Sequence, residues 1–351
     1  MLRRTFYGTA PLDISVVVRT YTEDRWDYLV AAPESIRRQN RPPLELVVVV
    51  DHNPALLRRV CEQFPEARVV ENTEPRGSSG AWNSGVMASR GRIIAFLDDD
   101  AEAEPDWLER LWKAYADDSV MGVGGSIRPV WEGAARPRWF PDEFLWVVGC
   151  TYRGLPEETA PVRNLIGCNM SFRRSAFEEI GGFRKGMGHV GGRPIGDDET
   201  EFSIRVGLRW PDRVLLHHPE ARVRHKVPAS RARWSYFYSR CRLEGRSKAL
   251  MSGLVGTHHG LAAECTYAFR TLPRGMWRGL VDAIWGDWTG LGRAWAIFSG
   301  LAITTIHYAL GVVVSSSGDH TIVPIEPVLR PDESHHKAPR RSRNAQSAGA
   351  A

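Results

Sequence analysis

The stretch that most constrains the fold is an apolar run that ends in three adjacent carboxylates. The run covers residues 93–97 (IIAFL), and Asp98, Asp99 and Asp100 follow it directly. A short continuous apolar run bounded by glycine and charge is typical of a strand buried on both faces, as in a parallel sheet. Ligands of open α/β sheets bind outside the carboxyl ends of such strands, so the sequence predicts an acidic cluster where a ligand would bind.

The spacing of these carboxylates indicates the chemistry of that ligand. Asp98 and Asp100 are two residues apart, so they share one face of an extended segment. Adjacent like charges repel, and a bound cation relieves the repulsion. Hard oxygen ligands suit Mg²⁺ or Mn²⁺ and the oxygens of a phosphate. A solvated turn after a strand is the alternative for the acidic cluster taken alone.

The preceding part of the chain alternates between strand and helix. Strands are predicted at residues 14–18, 44–50, 68–70 and 93–98, with helices at 54–64 and 81–89. This order predicts βαβ units and an α/β fold, with a mostly parallel, Rossmann-like sheet flanked by helices. Asp51 follows the second strand as Asp98 ends the fourth, so two carboxylates are expected at one edge of the sheet.

A second acidic group follows a glycine-rich segment at residues 186–196. A helix is predicted to open at Asp197, where Asp197 and Asp198 can cap it. Glu199 and Phe202 are three residues apart and share a face, so Glu199 points inward if Phe202 is buried. A carboxylate aimed into the molecule beside a glycine-rich loop indicates chemistry, whereas an acidic group that only caps the helix is the alternative.

Three further patterns complete the coarse secondary structure. A strand is predicted at residues 165–173, and Glu201 and Arg205 are expected to form a surface pair on the helix that follows. Residues 129–161 are rich in proline, glycine and aromatics such as Trp146, which predicts a long functional loop. Aromatic faces in such a loop can stack on sugar rings, and plain packing is the alternative.

Charge and cysteine content exclude several classes of protein. The net charge of +5 over 351 residues fits an anionic ligand, but the basic residues are spread along the chain, so no nucleic-acid partner is predicted. The five cysteines are far apart and form no CxxC pair. Neither a disulfide framework nor a zinc site is therefore indicated, and a reducing compartment is favoured.

The C-terminal third differs in amino-acid composition from the rest of the chain. Residues 294–314 carry no formal charge over 21 residues, a length that could span a bilayer. Glycine, threonine and histidine make the stretch only moderately apolar, so a segment lying at a membrane surface and a buried helix pair closing the enzyme both stay open. The chain from residue 330 onward is polar and basic and is predicted to be disordered.

These segments form an ordered set that resembles the family 2 nucleotide-sugar glycosyltransferases, which have the GT-A fold. The matching stretches are ISVVVRTY, LELVVVVDHN, RGSSGAWNSGVMASRGRIIAFLDDD, IGCNMSFRRSAFEEIGGF, GDDETEFSIRV and VRHKVPASR. The resemblance implies a catalytic domain over residues 1–230. It leaves a helical extension over 231–329, a candidate for peripheral membrane contact, and a basic tail over 330–351.

The resemblance also implies roles for individual residues. The nucleotide sugar would be held by Thr20, Tyr21, Asp51, Arg76, Gly77, Asn83, Asp98 and Asp99. The metal, Mg²⁺ or Mn²⁺, would be held by Asp100, Asp98 and His225. The acceptor would be contacted by Gly167, Cys168 and Asn169, and by Trp146 of the aromatic loop. The catalytic base would be Glu199, or Asp198 after a shift of one residue. The family often has Glu-Asp where this chain has Asp-Glu, which leaves the identity of the base open.

The expected function is metal-dependent, inverting transfer of a sugar from a UDP, GDP or dTDP sugar to an acceptor hydroxyl. The acceptor would be a lipid-linked glycan or a small molecule, in cell-envelope glycan, glycolipid or specialised-metabolite biosynthesis. The expected location is the cytoplasm, with the inner face of the plasma membrane as a candidate.

Three other classes of protein were weighed against this one. A nucleotidyltransferase acting on sugar phosphates normally has a glycine-rich phosphate loop near the first strand, and this chain has Arg19, Thr20 and Tyr21 there. A dehydrogenase would carry GxGxxG after that strand, where it is missing. A non-catalytic sugar-nucleotide-binding protein would tolerate loss of either acidic cluster, and both are present.

Overall fold

The computed structural model describes residues 10–133, 135–190, 193–195, 197–255 and 264–315. The strands are β1 (Leu12–Thr20), β2 (Pro43–Val50), β3 (Arg68–Glu71), β4 (Ile93–Asp98), β5 (Ala101–Ala103), β6 (Val120–Trp131), β7 (Ala160–Val162), β8 (Asn169–Arg173), β9 (Gly188–Val190), β10 (Arg193–Ile195) and β11 (Val214–Val227). The helices are α1 (Trp26–Arg37), α2 (Pro54–Gln63), α3 (Ser78–Ala88), α4 (Trp107–Ala114), α5 (Arg174–Ile180), α6 (Asp198–Arg209), α7 (Trp234–Val255), α8 (Leu272–Ile284) and α9 (Thr289–Ser315).

A single mixed sheet organises the molecule, in the order β3-β2-β1-β4-β8-β6-β11-β5, with β7 paired to β11. The first half is parallel, as the βαβ pattern predicts: β1 pairs with β2 and β4, and β2 with β3. Val16 and Val18 pack into the core on one face of the sheet, and Val17 and Phe96 pack into the core on the other. The prediction of an α/β fold with strands buried on both faces is confirmed.

The second half of the sheet departs from the simple parallel pattern. Strand β8 is inserted between β4 and β6 and runs antiparallel to both. The strand predicted at residues 165–173 begins only at Asn169, because its amide closes a turn onto the carbonyl of Ile166 (3.0 Å). Gly167 and Cys168 therefore lie in a turn at the start of β8. The glycine-rich segment forms the β9–β10 hairpin.

The pair of Glu201 and Arg205 forms, but the prediction that it lies at the surface is wrong. Arg205 Nε lies 2.8 Å from Glu201 Oε1, and Glu201 is fully buried. Arg184 approaches the same carboxylate at 3.3 Å. Arg205 also donates to the carbonyls of Ile180 and Gly182 (2.7 and 2.6 Å). The pair thus ties α6 to the end of α5, because a buried carboxylate requires its full set of partners.

Most aromatic side chains of the predicted functional loop are packing residues. Trp139 stacks on Trp234 of α7 with ring centroids 3.7 Å apart, and Phe144 contacts Phe237 of the same helix at 5.2 Å. The loop also contains a short 3₁₀ helix, Asp142–Val148. The loop therefore fastens the C-terminal helices to the sheet, as the plain-packing alternative expects.

Helices α7, α8 and α9 form a layer beside the sheet. Gly245 of α7 lies so close to α9 that a Cβ there would be 2.3 Å from the carbonyl oxygen of Thr304. Within the described residues, one helix is long and apolar enough to cross a membrane, Thr289–Val313, and 22% of its most apolar window is buried. The basic tail predicted at 330–351 lies outside the described residues.

Candidate active site

Two adjoining cavities lie at the edge of the sheet where β1, β2 and β4 end. The first, which we call the sheet-edge cavity, has a volume of about 640 Å³ and is lined by the ends of these strands. The second, the helix-side cavity, has a volume of about 490 Å³ and lies between the turn before β8, the start of α6 and helices α7–α9. Both cavities are lined by Arg19, Asp98, Gly149, His225 and Arg240.

Asp51 fixes the loop that closes one side of the sheet-edge cavity. Its carboxylate accepts hydrogen bonds from Asn72 Nδ2 (2.6 Å) and from the backbone amide of Gly77 (3.0 Å). Gly77 has φ +128°, a conformation that essentially only glycine adopts. Arg76 donates to the carbonyl of His52 (3.0 Å). The loop before α3 is therefore held against the end of β2.

The three adjacent aspartates are neutralised by arginines from β1 and from the start of α1. The β1–β4 register places Arg19 opposite Asp98, and their side chains pair at 3.2 Å. Arg25 bridges Asp99 and Asp100 at 3.3 and 3.1 Å. Burial, followed by the neighbouring Asp100 carboxylate, raises the pKa of Asp99 to about 6. The solvated-turn alternative fails, since Asp99 and Asp100 are buried.

Asp100 also contacts His225, which lies on β11. His225 Nε2 is 3.2 Å from Asp100 Oδ1, and both side chains are buried. Burial lowers the pKa of His225, but the Asp100 carboxylate outweighs burial and raises that pKa to about 10. Burial opposes ionisation of Asp100 in the same way, yet His225 and Arg25 hold its pKa well below the usual value. The two side chains form a charged pair at the cavity wall.

The side chains that could hold a divalent metal are few. Among the described residues, no group of three or more His, Cys, Asp or Glu side chains could hold a metal ion by itself. Mg²⁺ bound with a nucleotide uses only one or two carboxylates, and phosphate oxygens and water complete its coordination. Asp100 offers a carboxylate oxygen at the cavity, with Asp98 close by in sequence, and His225 could add a nitrogen donor only after losing the proton that pairs it with Asp100.

Asp198 and Glu199 occupy different environments at the start of α6. Asp198 Oδ2 accepts hydrogen bonds from Ser78 Oγ (2.9 Å) and Ser79 Oγ (3.0 Å), which lie at the start of α3. Burial opposes its ionisation, but a hydrogen bond from Glu199 and the charge of Arg19 lower the pKa of Asp198. Asp198 is therefore a fixed anion within the fold.

Glu199 instead faces the helix-side cavity, as its spacing from the buried Phe202 predicts. Its Cδ lies 3.6 Å from the point that a Cβ on Gly167 would occupy. Burial and the neighbouring Asp198 carboxylate raise the pKa of Glu199 well above its usual value. The side chain is not turned out to solvent, and the cavity that it faces shares a wall with the cavity that holds Asp100.

The predicted capping role of this acidic group is only partly met. Asp197 occupies the N-cap position with φ +73° but makes no side-chain hydrogen bond to the helix. Asp198 accepts from α3 instead. At the start of α6, the Asp198 carboxylate thus binds the hydroxyls of Ser78 and Ser79 on α3 and does not cap its own helix.

Most of the predicted site residues line the two cavities. The sheet-edge cavity is lined by Thr20, Tyr21, Asp51, Arg76, Gly77, Asp98, Asp99, Asp100 and His225. The helix-side cavity is lined by Trp146, Gly167, Cys168, Asp198 and Glu199.

Two predicted contacts, Asn83 and Asn169, lie in the core instead. Asn83 Nδ2 donates to the carbonyl of Phe183 (2.9 Å), and its Oδ1 accepts from the Phe183 amide (2.8 Å). Asn169 Oδ1 accepts from Trp107 Nε1 (2.8 Å), and its Nδ2 donates to the carbonyl of Ala221 (2.8 Å). Both side chains are buried and fasten elements together, and neither lines either cavity.

Sequence reasoning missed four arginines of the sheet-edge cavity, Arg19, Arg25, Arg231 and Arg240. Arg19 lies within the quoted stretch ISVVVRTY and Arg231 within VRHKVPASR, so a signal for both was present in the sequence. Arg25 and Arg240 carry no such signal, because only the tertiary packing of α1 and α7 brings them to the site.

The fold and the site together define a GT-A protein. The mannosyltransferase PcManGT from Pyrobaculum calidifontis, solved with GDP-Man and Mn²⁺, superposes with a TM-score of 0.55 at 19% identity, covering 88% of this chain and 87% of that one. Residues 15–181 match the family described as glycosyl transferase family 2.

Two curated proteins are similar over much of their length. A glucosyl-dolichyl phosphate glucuronosyltransferase from Haloferax volcanii is 37% identical over 244 residues, which are 68% of this chain and 77% of that protein. The succinoglycan biosynthesis protein ExoM from Rhizobium meliloti is 29% identical over 183 residues, 52% of this chain and 54% of that protein. The chain therefore belongs to glycosyltransferase family 2 and is a glycosyltransferase enzyme.

Proposed function

We propose that the protein transfers a sugar from a nucleoside-diphosphate sugar to an acceptor hydroxyl, with inversion at the anomeric carbon and dependence on a divalent metal. The observation that carries the proposal is that two acidic groups, at Asp100 and at Glu199, lie in adjoining cavities and in different electrostatic environments. Asp100 is held by cations in one cavity, and Glu199 lies half-buried beside the Asp198 anion in the next, with Asp98 and His225 in the shared wall.

The sheet-edge cavity would bind the donor. The exposed ring of Tyr21 and the Asp51 loop suit a nucleoside, and Arg25, Arg76 and Arg231 supply positive charge for a diphosphate. Asp100 and His225, with Asp98, would hold Mn²⁺ or Mg²⁺, and the GDP-Man and Mn²⁺ in PcManGT support this choice of ligands. When bound, the metal would neutralise charge on the departing diphosphate. UDP, GDP and dTDP sugars all fit this chemistry.

Glu199 is the better of the two candidate bases. A general base must reach the acceptor hydroxyl with a free carboxylate oxygen. Asp198 is engaged by Ser78 and Ser79, whereas Glu199 faces the cavity. Burial and the Asp198 carboxylate raise the pKa of Glu199, so it would act as the base in the molecules in which it is ionised. Glu199 would therefore take the acceptor proton while Asp198 positions it.

The helix-side cavity would bind the acceptor, with Trp146, Gly167 and Cys168 in its wall. The cavity reaches Phe269, whose side chain is 84% exposed and which precedes α8. A lipid-linked acceptor fits an opening of this kind, and the name of the relative from Haloferax volcanii, a glucosyl-dolichyl phosphate glucuronosyltransferase, supports it.

Peripheral contact with a membrane belongs to the same proposal. Helices α8 and α9 and the turn between them expose large apolar side chains to solvent, among them Trp277, Ile284, Trp285, Trp288 and Trp295. Interfacial helices present such faces to lipid headgroups and acyl chains. Because α9 packs sideways on α7 and α8, we favour a helix layer lying on the cytoplasmic face of a membrane over a spanning helix. The pathway would be that of a glycolipid or a cell-envelope glycan.

The test is nucleotide release from a panel of UDP, GDP and dTDP sugars, with and without Mn²⁺. We expect nucleotide release from at least one donor, dependent on the metal and accelerated by an acceptor lipid extract. A non-catalytic binding protein would bind a donor without releasing its nucleotide. Metal-independent release with all donors would also contradict the proposal.

A further inference from the structure

Arg25 bridges two of the three adjacent aspartates. Its Nη1 lies 3.3 Å from Asp99 Oδ1 and 3.1 Å from Asp100 Oδ2, and all three residues line the sheet-edge cavity. Asp99 and Asp100 are buried, so their charges need partners inside the protein. One guanidinium therefore serves both carboxylates at the place where we expect the metal to bind.

Both carboxylate oxygens of Asp100 are engaged by cationic side chains. His225 Nε2 lies 3.2 Å from Oδ1, and Arg25 Nη1 contacts Oδ2. A divalent metal binds roughly 2.1 Å from a carboxylate oxygen, so a metal on Oδ2 would lie no more than about 5 Å from the Arg25 nitrogen. Like charges at that distance repel strongly where water is largely excluded. A cation that stays in place therefore opposes metal binding at Asp100.

Arg25 can move aside, whereas His225 is held in place. His225 lies within β11, where its backbone is paired on both sides, with Ala101 of β5 and Pro129 of β6. Its side chain is only 4% exposed. Arg25 ends a single 3₁₀ turn before α1, and its side chain is 27% exposed. Because this side chain is long and has several rotatable bonds, it can leave the aspartates without disturbing the sheet.

The sheet-edge cavity can supply Arg25 with a second partner. The guanidinium also contacts the exposed ring of Tyr21, with its Cζ 5.5 Å from the ring centroid. Tyr21 is where we place the nucleoside of the donor, and guanidinium groups pair bidentately with phosphate oxygens. Arg25 therefore contacts both the expected metal ligands and a residue of the expected nucleotide pocket.

We propose that Arg25 is an exchangeable cation of the donor site, which leaves Asp99 and Asp100 when a divalent metal binds and then pairs with the diphosphate. This inference rests on the proposed metal-dependent reaction and adds a positioning residue that couples the two ligands. It follows that Arg25 weakens the binding of the metal alone. It also strengthens the dependence of metal binding on the nucleotide, because the diphosphate offers the displaced guanidinium a partner.

The test is the affinity of the full chain for Mn²⁺, measured by electron paramagnetic resonance with Mn²⁺ alone and then with saturating UDP, GDP or dTDP. Arg25→Gln removes the guanidinium, so we expect Mn²⁺ alone to bind roughly fivefold or more tightly than to the wild type. The factor by which a nucleotide strengthens Mn²⁺ binding should fall by a similar amount. Arg76→Gln is the matched control, because Arg76 lines the same cavity but donates to the carbonyl of His52. Its affinity for Mn²⁺ alone should stay within twofold of the wild type.

The exchange is wrong if Mn²⁺ alone binds Arg25→Gln no more tightly than the wild type, or if Arg76→Gln gains as much. Adding Asp100→Asn to Arg25→Gln should abolish the gain, and a gain that persists would also overturn the inference. If Mn²⁺ binds the wild type with no nucleotide, alone or in combination, the proposed metal dependence itself is wrong. Thermal melts identify any variant that fails to fold. Arg25→Lys, which keeps the charge and loses the planar fork, then replaces Arg25→Gln, with a gain of twofold or more expected.

Discussion

Replacing Glu199 by glutamine separates catalysis from binding and stability. The amide has nearly the same shape, and it can donate a hydrogen bond to the Asp198 carboxylate in place of the protonated Glu199 carboxyl. It cannot accept a proton. Loss of a general base typically lowers the rate by roughly 10²–10⁴-fold. Glu199 does not line the sheet-edge cavity, so the donor dissociation constant should change by no more than about twofold.

Relative to the wild type, the Glu199→Gln variant should become more stable as the pH rises. The direction of this change follows from the raised pKa of Glu199. Burial and Asp198 raise the pKa of Glu199 in the folded state, so the folded protein holds this proton more tightly than the unfolded chain. The stability contributed by that proton is complete below the unfolded pKa and is lost as the pH rises through the folded pKa. Glutamine does not ionise, so it avoids the loss. We expect the difference in Tm, variant minus wild type, to increase from pH 5 to pH 8.

The assay combines single-turnover kinetics at saturating donor, calorimetric donor titration and thermal melts across that pH range. Glu179→Gln is the matched control, because Glu179 is exposed on α5 and pairs with Arg209 at the surface. The control should leave turnover unchanged and show no such increase in Tm with pH. Turnover of Glu199→Gln within threefold of the wild type would remove Glu199 from the role of base. A Tm difference that decreases as the pH rises would show that the pKa of Glu199 is not raised in the folded protein.

Four further predictions follow from the contacts. Asp100→Asn removes the proposed metal ligand and the charged partner of His225, so Mn²⁺-dependent donor binding should weaken at least tenfold, as a manganese titration would measure. Gly77→Ala should cost about 1–3 kcal/mol in the free energy of unfolding in urea, because φ +128° suits only glycine. Asn169→Ala should lower stability by about 1–3 kcal/mol, while the KM for acceptor stays unchanged. Trp285→Ser combined with Trp288→Ser should reduce co-flotation with anionic vesicles and leave donor binding intact, and unchanged flotation would exclude this face.

Local sequence patterns were sufficient to predict features that depend on a single strand or helix. The apolar run before Asp98 predicts β4 and the carboxylates at its end, because burial on both faces leaves few alternatives to a central strand. The spacing of Glu199 from Phe202 likewise predicts an inward carboxylate, since a helix has a fixed period.

Patterns failed where the partner lies far away in the chain. Asn169 looks like a site residue from its motif, but Trp107 and Ala221 determine its role, and neither is visible from the local sequence. The Glu201–Arg205 pair has the spacing of a surface pair, yet packing of α5 buries it. Arg25 and Arg240 reach the cavities only because of how α1 and α7 dock.

The separation of the two acidic groups is tested most directly by a crystal structure with Mn²⁺ and the nucleoside diphosphate that binds most tightly. We predict that Asp100 binds the metal, beside the diphosphate, in the sheet-edge cavity. The Glu199 carboxylate should remain outside the coordination sphere, facing the helix-side cavity. A metal ligated by Glu199 or Asp198, or a nucleotide seated in the helix-side cavity, would contradict it.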